Sequence, residues 1–226
     1  MFINLSHVAN VDNKNHFPSK WNELPVVGER SPNHFRADGY AKRHWCFLGE
    51  IVSATKNLLG HQVVIKDFDS REGLISVLFP LDRGAGNCFN LKNFQVGHTL
   101  AIMNAQRELL DDETWCIRVD RHQYPGVHIF PYTHDNAVAV AQALYRLGPH
   151  GGVAECFNCP AELQRSPPTR CCQGCRLAQY CSSECQDDAW AHVHDKECVA
   201  YQDVALQSLF SLDFTRFMGA FSFPQQ

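Results

Sequence analysis

Eight sulfur and imidazole positions between residues 156 and 198 fall into four pairs: Cys156-x2-Cys159, Cys172-x2-Cys175, Cys181-x3-Cys185 and His194-x3-Cys198. Each pair is half a tetrahedron. An x2 pair suits a knuckle turn in which two thiolates converge on one ion, and an x3 pair sets two ligands one helical turn apart on the same face. Four pairs fill two closed sites and leave no position for a catalytic water, so the expected cofactors are two Zn2+ ions in structural roles. Two neighbours compete for places. Cys172 is preferred over Cys171 because Cys172-Gln-Gly-Cys175 has the knuckle spacing, and His194 over His192 because it stands x3 from Cys198. A segment this short has too little core to fold unaided, whereas zinc binding in finger peptides is worth roughly 10–16 kcal/mol, so the segment is expected to unfold without metal.

No other constellation reads as chemistry. Cys46, Cys88 and Cys116 stand alone in apolar contexts and read as small buried hydrophobes. Asp111-Asp112-Glu113 reads as a solvated turn between strands, and His122, His128 and His134 as surface or core histidines. Gly84-Ala-Gly86 lacks the third glycine of a dinucleotide site, and neither a phosphate-cradling loop nor a G-x-S-x-G elbow occurs. An enzyme is therefore not expected. Hydrophobic residues at 45% and charged residues at 19% describe a globular chain able to bury a core. Neither a secretory leader nor a membrane span is read, which points to an intracellular protein, in nucleus or cytoplasm, where reduced thiols bind metal instead of pairing.

The elements that must position these ligands are of two kinds, an α+β composition. From about residue 44, short runs rich in Val, Ile, Leu and Phe alternate with polar turns, predicting strands at 44–54, 61–67, 73–80, 98–105 and 114–120. The first two meet at Asn57-Leu-Leu-Gly60, and a mixed stretch from 81 to 94 separates the third from the fourth. Five strands in that order predict a small OB-like β-barrel. Asp135 or Asn136 then caps a helix over Ala137–Leu147, with Val140, Leu144 and Leu147 on one face to close the barrel. The layout expected is an irregular arm over 1–39, broken by Pro18, Pro25 and Pro32, a barrel with its closing helix over 40–148, a hinge at Gly148-Pro-His-Gly-Gly152, the finger over 153–200 and a tail over 201–226. In the tail Phe210, Phe214, Phe217 and Phe221 follow i, i+4, i+7 and i+11, an aromatic stripe on one helical face, read first as packing onto the finger or barrel.

Tyr180-Cys-Ser-Ser-Glu-Cys-Gln186, then Trp190, then His194-Asp-Lys-Glu-Cys198, closely resembles the MYND-type zinc finger. In that family the pairs interleave, so the resemblance implies Cys156, Cys159, Cys181 and Cys185 on one ion and Cys172, Cys175, His194 and Cys198 on the other. The gap from Cys185 to His194 is eight residues where the family usually has seven. A RING finger would place a His just after its third Cys, and none stands there. The arrangement as a whole is similar to that of fungal proteins that carry a MYND finger.

Members of the family are protein-interaction modules, some receiving proline-containing peptides in a groove whose residues map onto Gln186 and Trp190. The resemblance implies an adaptor that binds a partner peptide, in transcriptional regulation or as a corepressor-like protein. A single-stranded nucleic-acid binder using the barrel is the alternative, and a remnant of a MYND-containing methyltransferase a second, although the SET domain of such enzymes is much longer. Charge disfavours nucleic acid at the finger. Residues 153–198 carry four basic against seven acidic side chains, a balance of −3, and seven thiolates on two dications add another −3. The barrel, residues 40–130, carries ten of each sign and offers no basic excess to a single strand.

Overall fold

Apolar residues at every second position put one face of each strand into a common interior, and the strands of this chain obey that rule where it matters most. A computed structural model of the chain describes residues 9–57, 60–67, 73–80, 93–147, 155–163 and 170–224. Cys88, the stretch following the third strand and the Gly148–Gly152 hinge lie outside the described residues, as do Leu58 and Leu59 of the first turn. The chain divides into two compact units, one of residues 11–134 with 213–226 and one of residues 1–10 with 135–212.

The first unit is a barrel. Strands β1 (Cys46–Asn57), β2 (Gly60–Lys66) and β3 (Leu74–Pro80) form an antiparallel meander. Val63 and Ile65 of β2 and Ile75, Val77 and Phe79 of β3 are buried in alternation. β1 is shared: its first half pairs with β4 (Thr99–Met103) and its second half with β2, across a register shift between Ile51 and Ser53. That irregularity lets one strand bend from one side of the barrel to the other. At Gly49, just before it, a Cβ would stand 2.6 Å from Ile65 Cδ1, so any larger residue would have to displace the buried Ile65 side chain.

After β4 the chain turns at Asn104, whose φ of 53° is left-handed, into β5 (Glu108–Leu109), which pairs antiparallel with β6 (Trp115–Arg118). β6 lies parallel to β3, with Ser76, Val77 and Leu78 opposite Cys116, Ile117 and Arg118. The sheet thus runs β5-β6-β3-β2-β1-β4 and closes because β5 continues from β4. A three-strand meander, a first strand shared with the fourth and a parallel contact between third and last are the connectivity of an OB barrel. β4 and β5 together make its fourth strand. A seventh strand not foreseen in the sequence, β7 (Val127–Phe130), pairs with the outer side of β4.

Residues 11–39 carry little regular structure, yet they are part of this unit and not a free arm. Phe17, Leu24 and His34 are buried, the Trp21 N–H donates to Asp67 Oδ2 at 3.1 Å, and His34 and Phe35 stack edge-on against buried Trp45 at 4.7 and 5.6 Å. The Arg107 guanidinium lies over Trp21 at 5.7 Å and Trp115 at 5.2 Å, joining arm to barrel. Prolines deny the arm a helix or strand without denying it a place in the core.

The tail is helical only at its start. Helix α4 in the second unit (Val204–Phe210) is capped by Asp203 and ends at Phe210, so the phenylalanines do not share one helical face. Phe214 packs in the barrel unit against Phe17 at 4.7 Å and His16 at 5.6 Å, Phe217 against His44 at 4.8 Å, and Phe223 against His128 at 5.0 Å. The Met218 N–H donates to His44 Nε2 at 3.3 Å, and the Phe223 N–H to the Pro125 carbonyl at 2.9 Å. Local periodicity gave way to contacts with a distant surface.

The longer segment of the second unit, from Asp135 on, opens in α1 (His134–Leu147), which starts at His134, ahead of the expected cap. Ala137, Val140, Ala141 and Leu144 form its buried face. The helix belongs to the unit of the finger, not to the barrel that it was expected to close. Among the described residues no helix is long and apolar enough to cross a membrane.

Candidate metal centres

Each x2 pair sits in a turn held by its own backbone. Around the first, Glu155 bridges Glu162 and the Cys156 N–H donates to the Ala161 carbonyl at 2.8 Å. Around the second, strands β8 (Arg170–Cys171) and β9 (Gln179–Tyr180) pair antiparallel, and the Cys172 N–H donates to the Ala178 carbonyl at 2.9 Å. Arg176, directly after the turn, takes a left-handed φ of 58°. A Phe157 N–H bond to the Gln179 carbonyl, 2.8 Å, ties one turn to the other.

The x3 pairs come from helix. Ser182 caps α2 (Ser183–Ala189) by accepting from the Cys185 N–H at 3.2 Å. Cys181 therefore stands just outside the helix and Cys185 within its first turn, rather than both on one helical face. α2 runs through a single π-turn (Trp190–His194) into α3 (Asp195–Tyr201), which carries Cys198. A π-turn accommodates one more residue than an α-turn. The eight-residue gap that departed from the family spacing is absorbed there, and His194 still faces its partners.

The ligand atoms meet in two groups, each with all atoms within 4.8 Å of one another: Cys156, Cys159, Cys181 and Cys185 in site 1, and Cys172, Cys175, His194 and Cys198 in site 2. First and third pairs share one site, second and fourth the other. Zinc fits both. Bonds of about 2.3 Å to sulfur and 2.0–2.1 Å to nitrogen at tetrahedral angles imply edges of about 3.8 Å between sulfurs and about 3.6 Å from sulfur to nitrogen. Sulfur–sulfur distances are 3.6 Å for Cys159–Cys181, 3.5 Å for Cys181–Cys185, 3.8 Å for Cys185–Cys159 and 3.7 Å for Cys172–Cys198. Cys175 Sγ lies 3.6 Å from His194 Nε2. Cys171 is outside the groups, opposite Gln179 in the short ladder. His192 is exposed, its Nδ1 turned to the Asp188 carbonyl at 2.8 Å.

Electrostatics argue the same way. Burial opposes ionisation of Cys156, but N–H groups of Cys181, Asn158 and Cys159 donate to its sulfur and hold it down to about 7. Cys172 is lowered likewise, its burial outweighed by the N–H groups of Cys175 and Gly174. Cys181 is pushed up to about 12 by hydrogen bonds with the Cys185, Cys159 and Cys156 sulfurs, and Cys175 to about 12 by burial. Thiols crowded this closely cannot all ionise alone. A dication among them favours the thiolate at every corner.

The sites differ in their surroundings. In site 2 the His194 imidazole is fully buried and ringed by Phe157 at 5.1 Å, Tyr201 at 5.7 Å, Trp190 at 5.7 Å and Tyr180 at 6.1 Å. Burial lowers its basicity and favours the neutral ligand form. The Gln202 side-chain amide donates to Cys198 Sγ at 3.6 Å and to the Cys198 carbonyl at 3.0 Å. A search for ligands alone missed this ring and Gln202, although Phe157 follows Cys156 and Tyr180 precedes Cys181 in the chain. Site 1 is open: Cys181 is exposed and Cys159 and Cys185 are half-buried. Gln186 and Trp190 lie one turn apart on the outside of the helix. Gln186 is half-buried, whereas Trp190 sets an edge against His194 and keeps 49% of its surface exposed.

No curated protein matches the chain. Among solved structures, an OB domain from Methanosarcina mazei superposes with TM-score 0.30 at 7% identity, covering 45% of this chain and 86% of that one. The Schizosaccharomyces pombe Stn1–Ten1 complex gives 0.33 at 13%, covering 55% and 87%. The S. pombe Pot1pC structure bound to single-stranded DNA gives 0.31 at 8%, covering 52% and 99%. Residues 156–198 match the MYND finger family, and with two interleaved tetrahedra of zinc ligands in place this segment is a MYND finger.

Proposed function

We propose that the protein is a non-enzymatic adaptor, working inside the cell, whose finger holds a partner protein by a peptide segment laid across Gln186 and Trp190. Both metal sites are closed by protein ligands, so zinc supplies rigidity and no open coordination position. The observation that carries the reading is Trp190, a half-exposed indole whose inner edge packs against the buried His194 imidazole of site 2. A rigid aromatic platform of this kind binds without losing much side-chain freedom, which is why Trp dominates binding hot spots. A proline-containing segment fits it, because a preformed extended ridge packs on an indole at low entropic cost. The amide of Gln186 one turn away supports a hydrogen bond to the peptide backbone. Transcriptional regulation is the setting that the family resemblance supports. Nucleic acid is the weaker partner on charge, since the finger is acidic and the barrel balanced.

The test is binding of proline-containing peptides to the zinc-loaded protein and to Trp190→Ala, with zinc measured in both. Loss of a Trp hot spot costs about 2 kcal/mol or more, roughly 30-fold in Kd. Equal affinity in a Trp190→Ala protein that retains its zinc refutes the groove. Steeply salt-dependent binding to single-stranded DNA with no peptide binding refutes the adaptor.

A further inference from the structure

The two metal sites share a fold but not an environment. Every ligand of site 2 is buried: Cys172 at 4% exposure, Cys175 at 8%, Cys198 at 4% and His194 at 0%. Its imidazole is ringed by aromatic side chains, and one of its sulfurs accepts from the Gln202 amide. In site 1 only Cys156 is buried, Cys159 and Cys185 are partly open and Cys181 faces solvent. Site 1 also carries four thiolates to one dication, a formal charge of −2 against −1 for the three thiolates and imidazole of site 2. Susceptibility of sulfur to oxidants follows thiolate character and access. Access is greater at site 1, and its four thiolates on one dication would leave the larger uncompensated negative charge on sulfur.

We infer that site 1 is a peroxide-responsive metal site, at which oxidation of Cys181 releases one zinc ion while site 2 keeps the other. The Cys181 thiolate attacks one oxygen of hydrogen peroxide, the O–O bond breaks, and the sulfur becomes a sulfenic acid as hydroxide leaves. A neighbouring thiolate, Cys185 at 3.5 Å or Cys159 at 3.6 Å, then attacks that sulfur, forming a disulfide and expelling a second hydroxide. Two thiolates are oxidised, one peroxide is reduced to two hydroxides, and the two thiolates left behind no longer close a tetrahedron. Cys185 lies in the first turn of α2, so the start of that helix loosens. The helix beyond stays anchored through His194 and Cys198.

The zinc-loaded chain of 226 residues is treated with limiting hydrogen peroxide. Released zinc is followed with a chromogenic chelator, and cysteines are mapped by differential alkylation and mass spectrometry. The expected result is a first phase that releases half of the bound zinc, with a disulfide joining Cys181 to Cys185 or Cys159 while Cys172, Cys175 and Cys198 are recovered as thiols. Release of both ions in one phase, or a first disulfide among Cys172, Cys175 and Cys198, overturns the inference. In Cys181→Ser the first phase disappears, whether or not the variant holds zinc at site 1, and its persistence equally overturns the inference.

Discussion

Gly174 offers a sharp test of the site 2 geometry. It lies between the two thiolates of the second knuckle, and a Cβ built there stands 3.0 Å from Cys198 Sγ, 3.6 Å from Cys172 Sγ and 3.6 Å from Gln202 Nε2. Ordinary contacts begin near 3.4 Å, so the Cys198 sulfur would have to yield by a few tenths of an ångström. Metal–ligand distances tolerate about 0.2 Å. A ligated sulfur cannot retreat that far and keep its bond, so Gly174→Ala forces either the knuckle or α3 to move. Overpacking of this kind costs about 1–3 kcal/mol, which as lost metal affinity is a drop of roughly 5- to 150-fold at site 2. Competition with a chromogenic chelator reads the two zinc equivalents separately, and only one weakens in the variant. Two equivalents held as tightly as in the parent protein would refute the closed tetrahedron of Cys172, Cys175, His194 and Cys198.

His194→Ala should leave about one zinc per chain by elemental analysis, whereas His192→Ala, which loses only a surface contact to Asp188, should keep both. Exhaustive chelation should abolish the helical circular dichroism of 183–201 while the barrel keeps its sheet signal. Glu113 has a left-handed φ of 63° in the turn between β5 and β6, so Glu113→Gly should raise the urea midpoint of the barrel by the equivalent of up to about 1 kcal/mol. His16, His34 and His44 are each lowered from 6.5 chiefly by burial, with Arg43 adding to the effect at His16 and His34. Above 6.5 folded and unfolded chains are both neutral at these positions and stability is fully present. As pH falls below 6.5 the unfolded chain takes up protons that the folded one excludes, so barrel stability should decline. Imidazole NMR titrations should show midpoints below 6.5, and midpoints above it would reverse the sign.

The ligands were legible because metal chemistry is local. Four spaced pairs declare themselves in 43 residues, and the choice of Cys172 over Cys171 and of His194 over His192 followed from spacing alone. The π-turn was half-visible: the sequence showed one residue too many between Cys185 and His194 but not where the helix would store it. The barrel strands were read from short runs rich in Val, Ile, Leu and Phe between polar turns, and the structure buries Val63, Ile65, Ile75, Val77 and Phe79 at alternate positions of two of them. β5 and β7 were not, because strands of two and four residues are set by their neighbours' hydrogen bonds and carry too short a pattern to read. The tail misled because Phe210, Phe214, Phe217 and Phe221 keep a helical spacing that nothing local contradicts. Only the distant surfaces of Phe17, His44 and His128 draw it out of helix.

The two units are stabilised by different physics, and this orders their responses. The barrel interior is a contiguous apolar cluster from Phe47 through Phe79 to Ile117, with Trp45 donating from Nε1 to the Ala105 carbonyl at 2.7 Å. Its stability comes from buried area and is indifferent to metal. The finger buries its own ligands, and the rings of Tyr180 and Tyr201 pack around an imidazole whose position depends on a zinc bond. Removing the ion removes the centre about which those rings are arranged. Trp190 stands at the edge of that arrangement, its orientation set by the same imidazole. The Trp190 half of the proposed partner surface therefore depends on the site 2 ion, whereas the Gln186 half, next to Cys185 in α2, depends on site 1, which also holds the Cys156–Cys159 knuckle.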